Sequence, residues 1–490
     1  MQENIKQEAR LKRALNPMHV WALAFGCIIG WGSFINPGKK FLFNSGVAGT
    51  AIAMLIGAVI MVVIAFNYAY MVPKYPKAGG QFTFAKICFG RLPAFLCGWF
   101  LVAAYLTNVP MNSTAIGLII DGLFGPILKF GFHYTVAGFD IYAGEMAFAM
   151  AVLVLFGLFN IQGVKVAGSI QTLLAFLLGS SVLMLTAIAL TSDAATFANM
   201  EPLWGFDKEA AVSALRDGSY GGIDPFVHTG TVSICAAVLA TLALAPWAYV
   251  GFDTIPQAAE EYQFSPTKVS LIMIVAISFG CFVYIANNTI TAAALANWPD
   301  LIINSSHTPW LLLAASERLL GNFGKVIVGI AVFSAVLTGI MGFYMASSRL
   351  MYSMARDGYL PKSFAVIDPK HRTPKNALLF CIGISLSGPI LGREALGWFV
   401  DMCAIGASIG FLFTCLATRV TMKQNGESDC FLSIVSILGA AFSVFFIALQ
   451  LIPIPRLDFV HFGTPSYILL VVWILIGAGF YIGRFGFKVH

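Results

Sequence analysis

The sequence predicts an all-α integral membrane protein with twelve transmembrane helices. Hydrophobic residues make up 58% of the 490 residues and charged residues only 11%, whereas soluble domains carry about 25% charged residues. The mean hydropathy is +0.82. Apolar runs of roughly 20 residues, the length that crosses a bilayer, recur along the whole chain. These observations predict a protein whose surface is solvated by lipid.

The apolar runs are separated by clusters of Gly, Pro and charged residues. They predict spans over 17–43, 47–72, 92–122, 143–161, 164–192, 230–258, 269–297, 325–353, 376–392, 395–420, 430–452 and 464–484. Placing the N-terminus inside puts most of the 29 Lys and Arg residues in inner segments, as the positive-inside rule requires. Both termini are therefore expected in the cytoplasm, with the protein in the plasma membrane.

The spans predict a simple domain organisation. Its parts are a cytoplasmic tail (1–16), a first set of five spans (17–192), an acidic extracellular loop (193–229), a second set of five (230–420), two further spans (430–484) and a short cytoplasmic tail (485–490). The net charge of +6 is assigned to cytoplasmic loops and not to a nucleic-acid partner. The nine cysteines form no CxxC or Cys/His cluster, so no metal site or cofactor is predicted.

The first span contains three glycines within seven residues, at Gly26, Gly30 and Gly32. Each destabilises a helix by roughly 1 kcal/mol relative to alanine. Gly26 and Gly30 form a small-xxx-small pair that close helix packing would explain, but Gly32 is not needed for that. The spacing favours an unwound turn near the middle of the span, followed by a half-helix after Gly32.

The sixth span contains Pro246 and, five residues later, Gly251. Pro246 lacks an N–H group, so the carbonyl of Leu242 is expected to lose its helical partner. Ala245, which precedes the proline, is pushed away from helical angles. A simple proline kink is the alternative interpretation.

The two interruptions occupy corresponding places in the two sets of five spans, which have similar lengths. Because five is odd, the second set is expected to be inverted relative to the first. Paired interruptions of this kind indicate the site of a secondary transporter, since non-helical backbone at this depth is tolerated where it lines a cavity. The N–H groups after Gly32 can bind a carboxylate, and the carbonyls of Ile28, Trp247 and Val250 can accept from an ammonium group.

Four local patterns resemble the amino acid–polyamine–organocation transporters. They are Gly26-x-x-Ile29-Gly30-x-Gly32, Tyr75-Pro76-x-Ala78-Gly79-Gly80, Tyr249-x-Gly251-Phe252-Asp253 with Ala259-Glu260-Glu261, and Ala346-Ser347-Ser348-Arg349-x-x-Tyr352-x-x-Ala355-Arg356-Asp357-Gly358-x-Leu360-Pro361 with Thr373-Pro374. The resemblance covers about 17–420. It implies the LeuT-type fold, in which two inverted five-helix repeats with broken helices 1 and 6 are followed by two further helices.

The resemblance also implies a substrate site. The carboxylate would meet amides of the first interruption, the amine would meet carbonyls of both, and Trp247 would form an aromatic wall and gate. The predicted substrate-binding residues are Ile28, Gly30, Trp31, Gly32, Ser33, Asn108, Trp247, Ala248, Val250 and Asp253. The sequence departs from the family at Trp31, where a small residue is usual, so its indole either narrows the pocket or points away from it.

Coupling stays open at this stage. Several relatives carry a lysine midway along span five, but Ser169 to Thr191 contains no Lys or Arg. A sodium ion, a proton taken by another route, or simple exchange all remain. Candidate gating or coupling residues are Glu260, Glu261, Thr338, Arg349, Arg356, Asp357, Asp401 and Ser408.

Three polar side chains need a reason to lie within the membrane. A carboxylate at this depth costs roughly 2.5–3.5 kcal/mol on insertion scales, so Asp253 should either attract a cationic group or serve as an inner-gate partner. Asn108 and Asn112 lie one turn apart on one helix face. Interhelical hydrogen bonding is the leading interpretation for this pair, and lining the substrate path is the second.

Other classes of protein are weighed against a transporter of small neutral amino acids. The run Gly406–Gly410 formally matches a nucleophile motif around Ser408, but it lies in an apolar helix, and all seven histidines fall in loops or at span ends. An enzyme is therefore not predicted. A transporter of amines or polyamines held partly by Asp253 is the main alternative, and a membrane sensor with a transporter fold ranks lower. The paired interruptions favour alternating access over a channel.

Overall fold

A computed structural model describes residues 11–136, 139–205, 231–296, 298–304, 310–392, 395–453 and 461–486. Within these ranges, nine helices are long and apolar enough to cross a membrane, and a further pair of helical segments is bent by 41° at a break. Two shorter apolar helices, Pro17–Ile28 and Lys375–Leu391, lie where further spans are predicted. The all-α membrane fold is thus confirmed, while the count of twelve spans stays a prediction.

The helices follow the predicted runs closely. In chain order they are α1 (Pro17–Ile28), α2 (Gly32–Asn36), α3 (Leu42–Lys74), α4 (Gly80–Phe89), α5 (Arg91–Phe124), α6 (Ala143–Ile161), α7 (Val164–Thr191), α8 (Thr231–Leu242), α9 (Ala245–Ala248), α10 (Val269–Ala294), α11 (Trp298–Asn304), α12 (Leu311–Leu320), α13 (Asn322–Arg356), α14 (Lys375–Ser385), α15 (Gly388–Leu391), α16 (Ala395–Gln424), α17 (Cys430–Leu451) and α18 (Thr464–Phe485). A π-helical turn, Pro37–Phe41, joins α2 to α3, and 3₁₀ turns include Phe197–Met200, Phe252–Glu261, Pro266–Lys268 and Lys362–Ala365. The predicted tails and loop lie partly outside the described residues, at 1–10, 206–230 and 487–490.

Several short elements between the spans were not predicted. They include α4, α11, α12 and a two-stranded antiparallel hairpin in which β1 (His133–Val136) pairs with β2 (Phe139–Tyr142). Gly79 has a φ of 97° immediately before α4, a conformation that favours glycine. These elements are too short to give a strong hydrophobic period.

The burial of the helices shows where the core lies. In their most apolar windows, 72% of α5 and 78% of α13 is buried, but only 17% of α18. The short helix α1 packs against α7, α10 and α13. The interrupted segments therefore lie in the interior of the bundle, and α18 lies at its periphery.

Candidate substrate site

The first break is a three-residue interruption between α1 and α2. α1 ends at Ile28 and α2 begins at Gly32, where the glycine spacing predicts the unwound turn. The hydroxyl and the N–H of Ser33 both donate to the carbonyl of Gly30, at 2.9 and 3.2 Å. Among the described residues, no acceptor contacts the N–H groups of Gly30, Trp31 and Gly32. The turn therefore contains three unpaired main-chain donors.

Two side chains of α10 hold the first break in place. The hydroxyl of Tyr284 donates to the carbonyl of Ile28 at 3.3 Å. The amide of Asn287 donates to the carbonyl of Ser33 at 2.9 Å. These bonds fix the ends of the two half-helices relative to one scaffold helix. Sequence reasoning missed both residues, although polar side chains within an apolar span were a signal for them.

The second break lies between α8 and the 3₁₀ turn that begins at Phe252. α8 already ends at Leu242, and Pro246 occupies the first turn of α9, where its missing N–H costs little. The helix thus stops before the proline, and the carbonyl of Leu242 has no main-chain N–H partner among the described residues, as the missing N–H of Pro246 predicts. Gly251 has a φ of 141°, and a Cβ there would lie 2.6 Å from the nitrogen of Ile28. The two breaks touch because this residue has no side chain.

Two indoles occupy the space between the breaks. A Cβ on Gly32 would lie 2.3 Å from Cη2 of Trp247, so the ring covers the start of α2. The rings of Trp31 and Trp247 are 6.2 Å apart between centroids, and both side chains are buried. Ala248 and Val250 are also buried, and the N–H of Val250 donates to the carbonyl of Trp247 at 3.3 Å. The ring of Trp31 therefore lies beside that of Trp247, and its effect on the width of the pocket stays a prediction.

Asp253 is fully buried just beyond the second break. Its carboxylate accepts from the hydroxyl of Tyr105 at 2.7 Å, the side-chain amide of Gln81 at 3.2 Å and the main-chain N–H of Gly251 at 2.9 Å. Gln257 donates to the side chain of Gln81 at 2.6 Å and extends the network. No cationic side chain pairs with Asp253 in the described part of the chain. The carboxylate therefore ties the second break to α4 and α5 through neutral donors.

Asn108 and Ser408 direct their side chains into helix packing. The amide of Asn108 donates to the carbonyl of Ala104 at 2.7 Å and contacts the sulfur of Cys403 at 2.9 Å. The hydroxyl of Ser408 donates to the carbonyl of Ala404, one turn earlier, at 2.8 Å. Asn108 thus links α5 to α16, as interhelical hydrogen bonding requires.

Thr338 and Gln171 connect α1 to the helices behind it. The hydroxyl of Thr338 on α13 donates to the carbonyl of Gly26 at 3.1 Å. The amide of Gln171 on α7 donates to the carbonyls of Thr338 at 3.1 Å and Ala22 at 3.4 Å. Span five therefore places a neutral amide between α1 and α13. Sequence reasoning considered only Lys and Arg in that span and missed this residue.

The segment after the second break ends in two acidic residues, each of which forms an ion pair with an arginine. Glu261 binds Arg349 at 2.9 Å, with both side chains 1% exposed. Glu260 binds Arg356 at 2.9 Å and accepts from the N–H of Ala78 at 3.0 Å, and this pair is partly exposed. The motif that ends in Glu260 and Glu261 and the motif that contains Arg349 and Arg356, which were identified separately in the sequence, are thus in contact. They join α13 to the turn that follows the second break.

Two further candidates form separate contacts. Asp357 binds Lys86 of α4 at 2.8 Å. Asp401 accepts from the hydroxyl of Ser466 at 2.6 Å, which joins α16 to α18. Asp357 therefore lies near the arginine pairs, whereas Asp401 belongs to the packing of the outermost helix.

The chain before α1 is hydrogen-bonded to the segment around Glu261, at the end of the bundle where the arginine pairs lie. The N–H groups of Ala14 and Leu15 donate to the carbonyl of Glu261 at 2.9 and 3.0 Å, and the N–H of Gln263 donates to the carbonyl of Leu15 at 2.9 Å. We call this set, together with the Glu261–Arg349 pair, the N-terminal closure. It couples the entry to α1 with the exit from the second break.

Comparison with known proteins places these features in context. The model of the amino acid permease family matches residues 15–478. A branched-chain amino acid permease of Bacillus subtilis is 24% identical over 97% of this chain and 93% of its own length. A methylthioribose transporter of the same organism is 23% identical over 95% of this chain and 92% of its own length. The human Asc-type amino acid transporter 1 is 26% identical over 77% of this chain and 65% of its own.

Proposed function

Because this chain belongs to the amino acid permease family, we propose that it is a secondary active transporter that carries small neutral amino acids across the plasma membrane. The observation that carries the proposal is the first break, where Gly30, Trp31 and Gly32 hold unpaired N–H groups beside the second break. Unpaired main-chain donors at a helix start are suited to a carboxylate. The family and the names of its relatives support amino acids as the cargo.

In this proposal a zwitterion lies between the breaks. Its carboxylate binds the N–H groups of the first break, and its ammonium group binds carbonyls of Ile28, Trp247 and Val250. Trp31 and Trp247 leave little room beyond the α-carbon, which favours small side chains. An amine or polyamine held by Asp253 is less well supported, because that carboxylate already accepts three hydrogen bonds from neutral groups.

The architecture completes the proposal. Twelve spans, formed by two inverted five-helix repeats and two further helices, place both termini in the cytoplasm. Alternating access then requires the N-terminal closure to open while the opposite side shuts. The Glu261–Arg349 and Glu260–Arg356 pairs act as gates at that end. A sodium gradient, a proton gradient or exchange with internal substrate drives the cycle.

Uptake into proteoliposomes tests this function. Labelled alanine, serine, leucine, lysine and putrescine are each offered under a sodium gradient, under a proton gradient and against internal unlabelled substrate. Saturable uptake of the small zwitterions is expected, and the driving condition identifies the coupling. Uptake of putrescine alone would favour the amine alternative. No uptake of any solute by correctly folded protein would contradict the transporter assignment.

A further inference from the structure

A groove of about 290 Å³ lies between α5 and α18, away from the two breaks. Its walls include Leu92, Phe95 and Trp99 of α5 and Gly477, Ala478 and Tyr481 of α18. The lining is almost entirely apolar. Since α18 is the most peripheral of the long helices, the groove is part of the surface that faces the bilayer.

The end of the groove at Trp99 is closely packed. The indole N–H of Trp99 donates to the carbonyl of Trp473 at 3.0 Å, and the indole N–H of Trp473 donates to the carbonyl of Trp99 at 3.2 Å. The two rings are stacked with centroids 4.5 Å apart. Gly477 allows this approach, because a Cβ there would lie 2.4 Å from Nε1 of Trp99. This reciprocal contact fixes the spacing of α5 and α18 and hence the width of the groove.

One wall of the groove holds a polar atom with no function in the packing. Tyr481 is 7% exposed, and its hydroxyl has no hydrogen-bond partner within the described ranges. Its ring contacts Phe95 and Phe485, so only the hydroxyl is unsatisfied. A buried hydroxyl without a partner is unfavourable. The wall of the groove thus includes one buried hydroxyl without a described partner, among apolar side chains.

A cation lies at the mouth of the groove. The guanidinium of Arg91, the first residue of α5, is 4.9 Å from the ring of Phe485. Arg91 is exposed and forms no ion pair with any described carboxylate, while the neighbouring Asp357 is bound to Lys86. Phe485 and Tyr481 are one turn apart on α18, about 6 Å along the helix axis. The headgroup layer of one leaflet is about 5–7 Å thick, so the axial separation of these two positions is close to the thickness of that layer.

We propose that this groove binds one anionic glycerophospholipid. An acyl chain lies along the apolar walls as far as Trp99, the hydroxyl of Tyr481 donates to an ester carbonyl, and the guanidinium of Arg91 binds the phosphate and its anionic headgroup. The unpaired hydroxyl in the wall of the groove and the cation at its mouth, which has no described carboxylate partner, favour this occupant over a second copy of the chain. A protein helix would satisfy neither group through its apolar face.

Binding of defined lipids to the delipidated full-length protein tests the proposal. Native mass spectrometry compares phosphatidylglycerol with phosphatidylcholine of the same acyl chains. We expect one tightly held phosphatidylglycerol, with at least a fivefold preference over phosphatidylcholine. Arg91→Gln should abolish the preference, whereas Arg484→Gln should keep it. Arg484 is the matched control because it removes the same charge from the other face of α18, where it donates to the carbonyl of Gly358 at 2.8 Å.

Two more variants separate the parts of the site. Tyr481→Phe should weaken both lipids several-fold and to the same extent, since the ester carbonyl is common to them. Ala478→Phe fills the groove and should abolish tight binding of either lipid, which keeps the test decisive if Arg91→Gln does not fold. Equal binding of both lipids to the unaltered protein would mean ordinary annular lipid and would overturn the proposal. So would a lipid-free dimer that Ala478→Phe dissociates, because a second copy would then occupy the groove.

Discussion

The two breaks differ in whether their main-chain hydrogen-bonding groups have partners. In the first break, the N–H groups of Gly30, Trp31 and Gly32 have no acceptor among the residues described. In the second, the N–H of Gly251 binds the carboxylate of Asp253, and the carbonyl of Gly251 accepts from Thr254 at 2.5 Å. The first break thus keeps its donors available, whereas the second is closed upon itself and tied to its neighbours. In the proposed function the first break supplies the donors for the carboxylate, and the second, held by its own contacts, contributes carbonyl groups alone.

Breaking the buried Glu261–Arg349 ion pair, at the end of the segment after the second break, should have the largest effect on stability. Glu261→Gln leaves Arg349 buried without its counterion, and we expect a loss of about 3–5 kcal/mol in the free energy of unfolding. Thermal and chemical unfolding in detergent measure it. Glu260→Gln is the matched control, because its partly exposed pair contributes only about 0–1 kcal/mol. Equal losses in both variants would show that burial of the Glu261 pair has no special role.

A methyl group added at the contact between the two breaks should have the second-largest effect on stability. Gly251→Ala forces a φ of 141° on alanine and puts Cβ 2.6 Å from the nitrogen of Ile28. We expect a loss of about 2–4 kcal/mol from strain and overpacking.

Gly32→Ala is the comparison within the first break. The added Cβ would lie 2.3 Å from the movable ring of Trp247, and its next neighbour is the side chain of Asn36 at 3.1 Å. Trp247→Phe should therefore restore most of the stability of Gly32→Ala. Trp247→Phe should not restore the stability of Gly251→Ala. Rescue of both glycine variants would contradict the difference between the breaks.

The hydroxyls that hold the two breaks provide a finer test. Tyr105→Phe removes a hydrogen bond to the buried carboxylate of Asp253 and should cost about 1–3 kcal/mol. Tyr284→Phe removes a longer bond to the neutral carbonyl of Ile28 and should cost about 0.5–1.5 kcal/mol. Unfolding of the two variants side by side decides the order. The reverse order would mean that the first break is the more strongly held.

The smallest effect should concern selectivity and not folding. Trp31→Ser opens space beside Trp247, so uptake of leucine relative to alanine should rise about tenfold, as expected for a few methylene groups in a pocket. Trp31→Phe should shift the ratio much less. Competition uptake in proteoliposomes measures both. An unchanged ratio in Trp31→Ser would place the substrate away from this indole.

Much of the fold could be predicted from local chemistry. Three glycines in seven residues predicted the end of α1 and the start of α2 at Gly32, because glycine weakens a helix wherever it occurs. Pro246 and Gly251 predicted the second break, although α8 ends earlier than proline chemistry alone requires. Such signals lie within a few residues of the structure that they cause.

The connections around the site could not be predicted in the same way. Asp253 was singled out as a carboxylate in need of a partner, but nothing in the sequence indicates that Tyr105 and Gln81 supply the donors. Glu261 and Arg349 were each identified, yet their pairing depends on how the turn after the second break packs against α13. Contacts between residues far apart in sequence depend on helix packing, which a single sequence does not specify.

The N-terminal closure has a consequence for the order in which the molecule is made. The N–H groups of Ala14 and Leu15 leave the ribosome early, but their acceptor on Glu261 and the N–H of Gln263 follow only about 250 residues later. At about 5–20 residues per second, this interval lasts roughly 12–50 s. The first helix therefore enters the membrane with its entry segment unpaired. A nascent chain that ends before Glu261 cannot form this closure, however completely its first five spans have been inserted.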